Sequence, residues 1–246
     1  MKKLSLALLQ SLLVTGPSFA ADEGTHWGYT GHESPEKWGE LSPNYALCSS
    51  GKNQSPIDVV DTISGELPAL NLDYKAVKAE IVNNGHTIQV NFKDDANKLS
   101  LNGNTFTLKQ FHFHTPSENR IQGKSFPLEV HFVHADSNNN LAVLGLLYEV
   151  GAENAQLSPV WAAMPKEAGQ PIALKVQINP AEMLPEALDY YRFNGSLTIP
   201  PCSEGVNWLL LKNTVSASEA QVKAIEAIMG NNSRPPQAVN ARVILE

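Results

Sequence analysis

The sequence predicts a mainly β (α+β) protein, with one domain built around a large central, mostly antiparallel, twisted sheet and short peripheral helices. Three observations predict it. Between residues 57 and 148, short runs of β-branched, aromatic and alternating residues follow one another, separated by Asn, Gly and Asp, the pattern of strands and turns. Two of the junctions read as hairpins. Helical periodicity is confined to a few short stretches, with no internal repeat and no low-complexity linker. Of 246 residues, 42% are hydrophobic and 17% charged, the composition of a packed domain rather than a disordered chain.

Residues 1–20 read as a secretory signal. Lys2 and Lys3 form a positive start, residues 4–14 are apolar, and Ser18-Phe19-Ala20 offers small residues for cleavage after Ala20. The apolar run is shorter than the roughly 20 residues that span a bilayer, and no later segment approaches that length, so no membrane anchor is expected. Residues 21–246 form the single domain. Residues 22–56, rich in Gly, Ser, Pro, Asn and aromatics, read as an irregular arm laid over the core.

Strands are expected at 81–82, 87–92, 98–101, 105–113, 128–134 and 141–148. Asn102-Gly103 supplies the positive φ values of a type I′ turn, and residues 136–140 hold an Asp-Ser-Asn-Asn-Asn loop between two apolar runs. Both junctions make their flanking strands antiparallel neighbours. The clearest helix covers 218–229: Val222, Ile225, Ile228 and Met229 share a face, Ser216 or Ser218 caps the start, and Gly230 follows the end. A second covers about 153–163, and a short third starts at Asn179-Pro180, a cap followed by proline.

The net charge is −7, and cleavage of the leader, with its two lysines and no acids, makes the chain more acidic. Clustered Lys and Arg are absent, so nucleic acid is not an expected partner. Cys48 and Cys202 are the only cysteines. Export permits them to pair, the alternative being two buried thiols, and their spacing excludes a CxxC redox motif. Closing a loop of about 150 residues would stabilise by about 4 to 5 kcal/mol in the chain-entropy model.

The chemistry centres on Gln110-Phe111-His112-Phe113-His114. On a strand, His112 and His114 share one face and Phe111 and Phe113 the other, which sets two imidazoles about 7 Å apart along the pleat. Alone, this pattern fits a metal or two hydrogen-bonded histidines. The run at 128–134 adds His131 and His134, on opposite faces, so only one of them can join the pair. His131 is the choice because Glu129 shares its face and can accept the second N–H of a ligand imidazole, although Glu129 also reads as a solvated strand carboxylate. His134 is then a hydrogen-bonded core or loop histidine. Three neutral nitrogens with no fourth protein ligand suit catalytic zinc better than iron, which favours two histidines and a carboxylate. The reaction class is attack of a metal-bound hydroxide on an electrophile.

Taken together, certain motifs resemble the α-class carbonic anhydrases, in their bacterial secreted form. They are His26-Trp27-Gly28-Tyr29, residues 53–58, Asn83-Asn84-Gly85-His86, residues 110–114, Ser117-Glu118, Glu129-Val130-His131, residues 141–145, residues 196–202 and Trp208. Their order spans nearly all of the mature chain. The resemblance implies reversible hydration of carbon dioxide to bicarbonate in the periplasm or outside the cell, with Zn2+ on His112, His114 and His131. Gln110 and Glu129 would support the ligand imidazoles. Thr198 would accept the hydrogen of the zinc-bound hydroxide and donate its own to Glu118. Val133, Val143, Leu197 and Trp208 would line the pocket for carbon dioxide, where composition alone reads plain core.

His86 matches the family's proton shuttle, although it also reads as a turn histidine, and Tyr29 matches a residue of its water network. The disulfide would tie the Thr198 loop to the N-terminal region, and Ser55-Pro56 and Pro200-Pro201 would be cis. Ile199 departs from relatives that carry a hydroxyl residue there, which leaves fewer polar contacts for bicarbonate or esters. Bacterial members include dimers, which makes a homodimer a candidate assembly. A metal-buffering relative without turnover fits less well, because such proteins typically lack a zinc histidine and here all three stand beside Thr198 and Glu118. A metal oxygenase lacks its expected carboxylate ligand.

Overall fold

The computed structural model describes residues 25–246, so the proposed leader lies outside the described residues. In chain order the strands are β1 (Asp58–Val59), β2 (Asn71–Asp73), β3 (Ala79–Asn83), β4 (Ile88–Phe92), β5 (Lys98–Leu101), β6 (Asn104–His114) and β7 (Arg120–Ile121). They continue with β8 (Leu128–Ala135), β9 (Leu141–Val150), β10 (Ile172–Ala173), β11 (Tyr190–Ser196), β12 (Glu204–Leu211) and β13 (Val215–Ala217). Eleven of these make one sheet, in the order β10-β3-β4-β6-β8-β9-β12-β11, with β5 beside β6, β2 beside β5 and β13 beside β9. Within it β12 and β13 run parallel to β9, and the other pairings are antiparallel.

Every expected strand is present, and the Asn102-Gly103 hairpin joins β5 to β6 with φ of 51° and 79°. In the second junction the Asp136 carboxylate accepts from the backbone N–H of Asn138 and Asn140, both at 2.8 Å, which closes the loop between β8 and β9. Strands β11 to β13 carry no clear alternation. Trp208 to Leu211 on β12 are all buried, as a strand covered on both faces is, and such a run does not announce its period.

Helices sit on the periphery. Glu219–Met229 starts on a capping box, with Ser218 Oγ accepting from Gln221 N at 3.2 Å and Gln221 Oε1 accepting from Ser218 N at 3.0 Å, and it ends at Gly230. The helix expected over 153–163 is instead a 3-10 turn, Ala155–Leu157, running into one α-helical turn, Ser158–Trp161. Asn154 caps the first piece and Pro159 sits at the start of the second, where its missing N–H costs no hydrogen bond. Asn179 caps the 3-10 turn Pro180–Met183 as expected. The arm holds short turns, among them Trp38–Leu41 and Leu47–Ser50. No helix is long and apolar enough to cross a membrane among the described residues.

The sheet has two distinct faces. Phe111, Phe113, Val130 and Phe132 pack with Leu144, Leu157, Val222 and Ile225 in the larger core. The opposite face carries a second cluster around Val143, Leu147, Phe193, Trp208 and Leu210. A third, formed by Trp27, Trp38, Tyr45, Cys48 and Cys202, seats the arm. His134 lies fully buried on the core side, accepting at Nε2 from the Tyr74 hydroxyl at 2.5 Å and donating from Nδ1 to Ala142 O at 3.2 Å. It is the hydrogen-bonded core histidine that strand parity requires.

Candidate metal centre

Strands β6 and β8 build the centre. Their register sets His112 opposite His131 and His114 opposite Glu129, on the face away from Phe111 and Phe113. The ring centroids of His112, His114 and His131 are 4.5 to 5.2 Å apart, and one nitrogen from each lies within 4.8 Å of the other two.

Each outward nitrogen has an acceptor oxygen within 2.9 Å. His112 Nδ1 lies 2.8 Å from Gln110 Oε1, His114 Nδ1 lies 2.9 Å from the backbone oxygen of Asn232, and His131 Nε2 lies 2.9 Å from Glu129 Oε1. Two rings therefore turn Nε2 inward and the third turns Nδ1. Burial, with His114 and His131 beside it, holds His112 well below the usual histidine range, and burial also lowers His114. Neutral imidazole is the form that binds a metal.

Glu129 is buried, which alone would raise its pKa, but His131 and Asn119 hold the carboxylate below its usual range. Glu118 N and Asn119 N both donate to its Oε2, at 2.8 and 2.9 Å. Gly145 on β9 pairs with His131; a Cβ there would stand 3.3 Å from Glu129 Oε1 and 2.9 Å from Leu210 Cδ1. The bare backbone gives that carboxylate its room.

Glu118 is also fully buried, and desolvation pushes it up to about 7 against the opposing effects of His131, a hydrogen bond to Thr198 and the Arg234 backbone N–H at 2.9 Å. Its Oε2 and the Nε2 of His114 lie 3.4 Å apart, buried and with no hydrogen-bond partner. Orphaned polar atoms are rare in a native interior. Two of them at the meeting point of three imidazoles fit a divalent cation with a coordinated water, and a donor set of three nitrogens suits zinc.

Of the residues expected to line a pocket, Val143 and Trp208 belong to the second cluster, and Val133 and Leu197 pack against it. Trp208 meets His131 edge to face at 4.9 Å and donates from Nε1 to Ser196 O at 3.0 Å. His86 stacks flat on Trp27, 3.8 Å between centroids, and burial and His26 both lower its pKa. Tyr29 packs against Trp27 and Trp38, and burial and the Glu118 charge raise its pKa well above normal.

Cys48 and Cys202 form the disulfide, with Cα atoms 5.1 Å apart. Ile199 packs on that cluster, and Cys202 N donates to Ile199 O at 2.8 Å, so the bridge and the Thr198 loop are one unit. Ser55-Pro56 and Pro200-Pro201 are cis, as is Thr115-Pro116, which was not expected.

Sequence reasoning missed Asn232 and Arg234. Asn232 is fully buried; its side chain donates to His86 O and Phe113 O and accepts from Thr115 N, while its own carbonyl serves His114. Arg234, 2% exposed, donates to Gln54 Oε1, Ser55 O and Cys48 O. Their only sequence cue is a polar stretch between the Gly230 cap and Pro235-Pro236, which reads as loop. A buried arginine leaves no periodic signature.

An interior sheet carrying three convergent imidazoles, each with an acceptor oxygen beside its outward nitrogen, next to a buried carboxylate defines a mononuclear metalloenzyme of the three-histidine class. A family model described as eukaryotic-type carbonic anhydrase matches residues 33–246. A carbonic anhydrase of Neisseria gonorrhoeae is 53% identical over 90% of this chain and 88% of its own, and one of Pectobacterium carotovorum is 45% identical over 99% and 98%. The α-carbonic anhydrase of Thermovibrio ammonificans, solved with sulfanilamide, superposes with a TM-score of 0.88 at 47% identity, over 91% of this chain and all of that one. The chain therefore belongs to the eukaryotic-type, or α, carbonic anhydrase family. It is a zinc-dependent lyase that hydrates carbon dioxide to bicarbonate and a proton.

Proposed function

We propose that His112, His114 and His131 hold the zinc, with Gln110 and Glu129 fixing the rings of His112 and His131. The supporting observation is that each outward nitrogen has an acceptor oxygen within 2.9 Å while the inward ones converge. When bound, zinc lowers the pKa of a coordinated water to about 7 and so supplies a nucleophile at neutral pH.

The remaining work falls to the chain. Thr198 would accept a hydrogen bond from a water held there and give its own hydroxyl hydrogen bond to Glu118, whose Oε1 already accepts from Arg234 N. Those two hydrogen bonds would orient the nucleophile, and for a substrate with so little to hold, orientation supplies much of the rate. Val133, Val143, Leu197 and Trp208 give carbon dioxide an apolar wall and exclude water. His86 takes the released proton at one ring nitrogen and gives it up at the other, while Tyr29 orders water along the way.

We further infer that residues 21–246 act as one catalytic domain exported to the periplasm or beyond after cleavage at Ala20. A disulfide is the expected state there. The homodimer is carried from the family resemblance, and sedimentation velocity tests it. Stopped-flow hydration by the oxidised, zinc-loaded mature protein tests the enzyme reading, and a rate far above buffer background is expected. Background rate with zinc demonstrably bound would refute the roles given to Thr198 and Glu118.

A further inference from the structure

The third imidazole depends on a side chain with no role so far. Asn119 is fully buried. Its Oδ1 accepts from Ile57 N at 3.1 Å, and its Nδ2 donates to Glu129 Oε1 at 2.7 Å. The amide cannot be turned over, because the flip would set its NH2 against the Ile57 N–H and its oxygen against a carboxylate oxygen. One residue thus reads the end of the arm on one side and the support of a ligand on the other.

Glu129 meets donors in nearly every direction. Glu118 N and Asn119 N occupy Oε2, Asn119 Nδ2 occupies one side of Oε1, and His131 Nε2 stands 2.9 Å from the other side. A carboxylate engaged as acceptor at each contact requires that Nε2 of His131 carry the ring proton, which leaves the Nδ1 lone pair facing inward. Register alone does not do this. His112 and His114, on the neighbouring strand, point Nε2 inward because their acceptors meet Nδ1.

We propose that Asn119 is a positioning residue of the metal centre: by holding Glu129 between Ile57 and His131, it fixes the proton on His131 Nε2 and turns Nδ1 toward the zinc. The inference rests on the zinc assignment above.

Asn119→Asp tests it, because the change keeps the size and the acceptor for Ile57 N–H but replaces the donor to Glu129 with a second acceptor. The zinc dissociation constant, read by chelator competition, should rise 10- to 100-fold, and the visible spectrum of the cobalt-substituted protein should change. As a control, Leu157→Ala in the core on the opposite face should lower the melting temperature and leave zinc affinity alone. Wild-type affinity and spectrum in a folded N119D protein would overturn the proposal. If N119D does not fold, Asn119→Ser, whose side chain is too short to reach Glu129, takes its place: a zinc dissociation constant raised 10- to 100-fold supports the proposal, and wild-type affinity overturns it. Failure of the wild type to bind zinc would instead remove the assignment beneath it.

Discussion

Acid should weaken this fold through His134, and the amount can be worked out. Burial holds its pKa at about 4, against the opposing effect of hydrogen bonds to Ala142 and Phe132, while an unfolded histidine titrates near 6.5. Between those values the unfolded chain binds the proton more tightly, so stability is complete above pH 6.5 and is lost as pH falls toward 4. Linkage gives a loss of about 2 kcal/mol between pH 7 and pH 5, and about 3 kcal/mol over the whole window. The assay is urea unfolding of the zinc-loaded protein at both pH values, followed by tryptophan fluorescence. The comparison is a His134→Leu, Tyr74→Phe double variant, in which the partner hydroxyl goes with the ring. Zinc release in acid weakens both proteins alike and cancels in the difference. The variant should lose about 2 kcal/mol less than wild type over the same pH step. Equal losses would refute the claim that His134 is held neutral in the folded state.

Three further outcomes follow from the geometry. Gly195→Ala places a Cβ against Ser55 Oγ and 2.7 Å from Trp208 Cδ1; overpacking of about 1 to 3 kcal/mol should appear in the melting temperature, with kcat/KM for carbon dioxide lowered as Trp208 shifts beside His131. Cys48→Ser with Cys202→Ser opens a 154-residue loop, which should cost about 4 to 5 kcal/mol in denaturant unfolding and reduce hydration, since Ile199 and the Thr198 loop rest on the bridge. His86→Ala should lower kcat several-fold in weak buffer without changing kcat/KM, and added imidazole should restore it; a variant indifferent to buffer would exclude the shuttle.

Much of the site was legible because strand parity is a strong constraint. His112 and His114 had to share a face, His131 and His134 had to part, and Glu129 had to accompany His131, all from the period of two. The hairpin at Asn102-Gly103 and the helix capped by Ser218 were readable because local chemistry dictates them. What stayed hidden depends on long-range closure. Asn232 reaches His114 from a loop 118 residues away, and Arg234 reaches Cys48 across 186. Neither contact leaves a local pattern, because each residue serves backbone groups that its own neighbours in sequence do not reveal. The split helix at 155–161 was missed for a different reason, since Asn154 and Pro159 are start signals for two short pieces that periodicity merges into one.

Parity also contains a contradiction that only the pairing resolves. Counted along β6, Phe106 and Leu108 fall on the same side as His112 and His114, yet both belong to the core with Phe111 and Phe113. A single alternating strand cannot bury all four and still present the histidines. The ladder to β8 answers this with a bulge: Leu108 faces His134, Gln110 faces Val133, and Lys109 between them is extra and exposed. One unpaired residue flips the face of everything before it, so the first half of β6 serves the core and the second half serves the metal. Deleting Lys109 should force a choice between the two. With the core dominant, the histidine half would turn inward, and the purified variant should carry far less than one zinc per chain with a lowered melting temperature. Stoichiometric zinc at an unchanged melting temperature would show that the strand reaches both faces without the bulge.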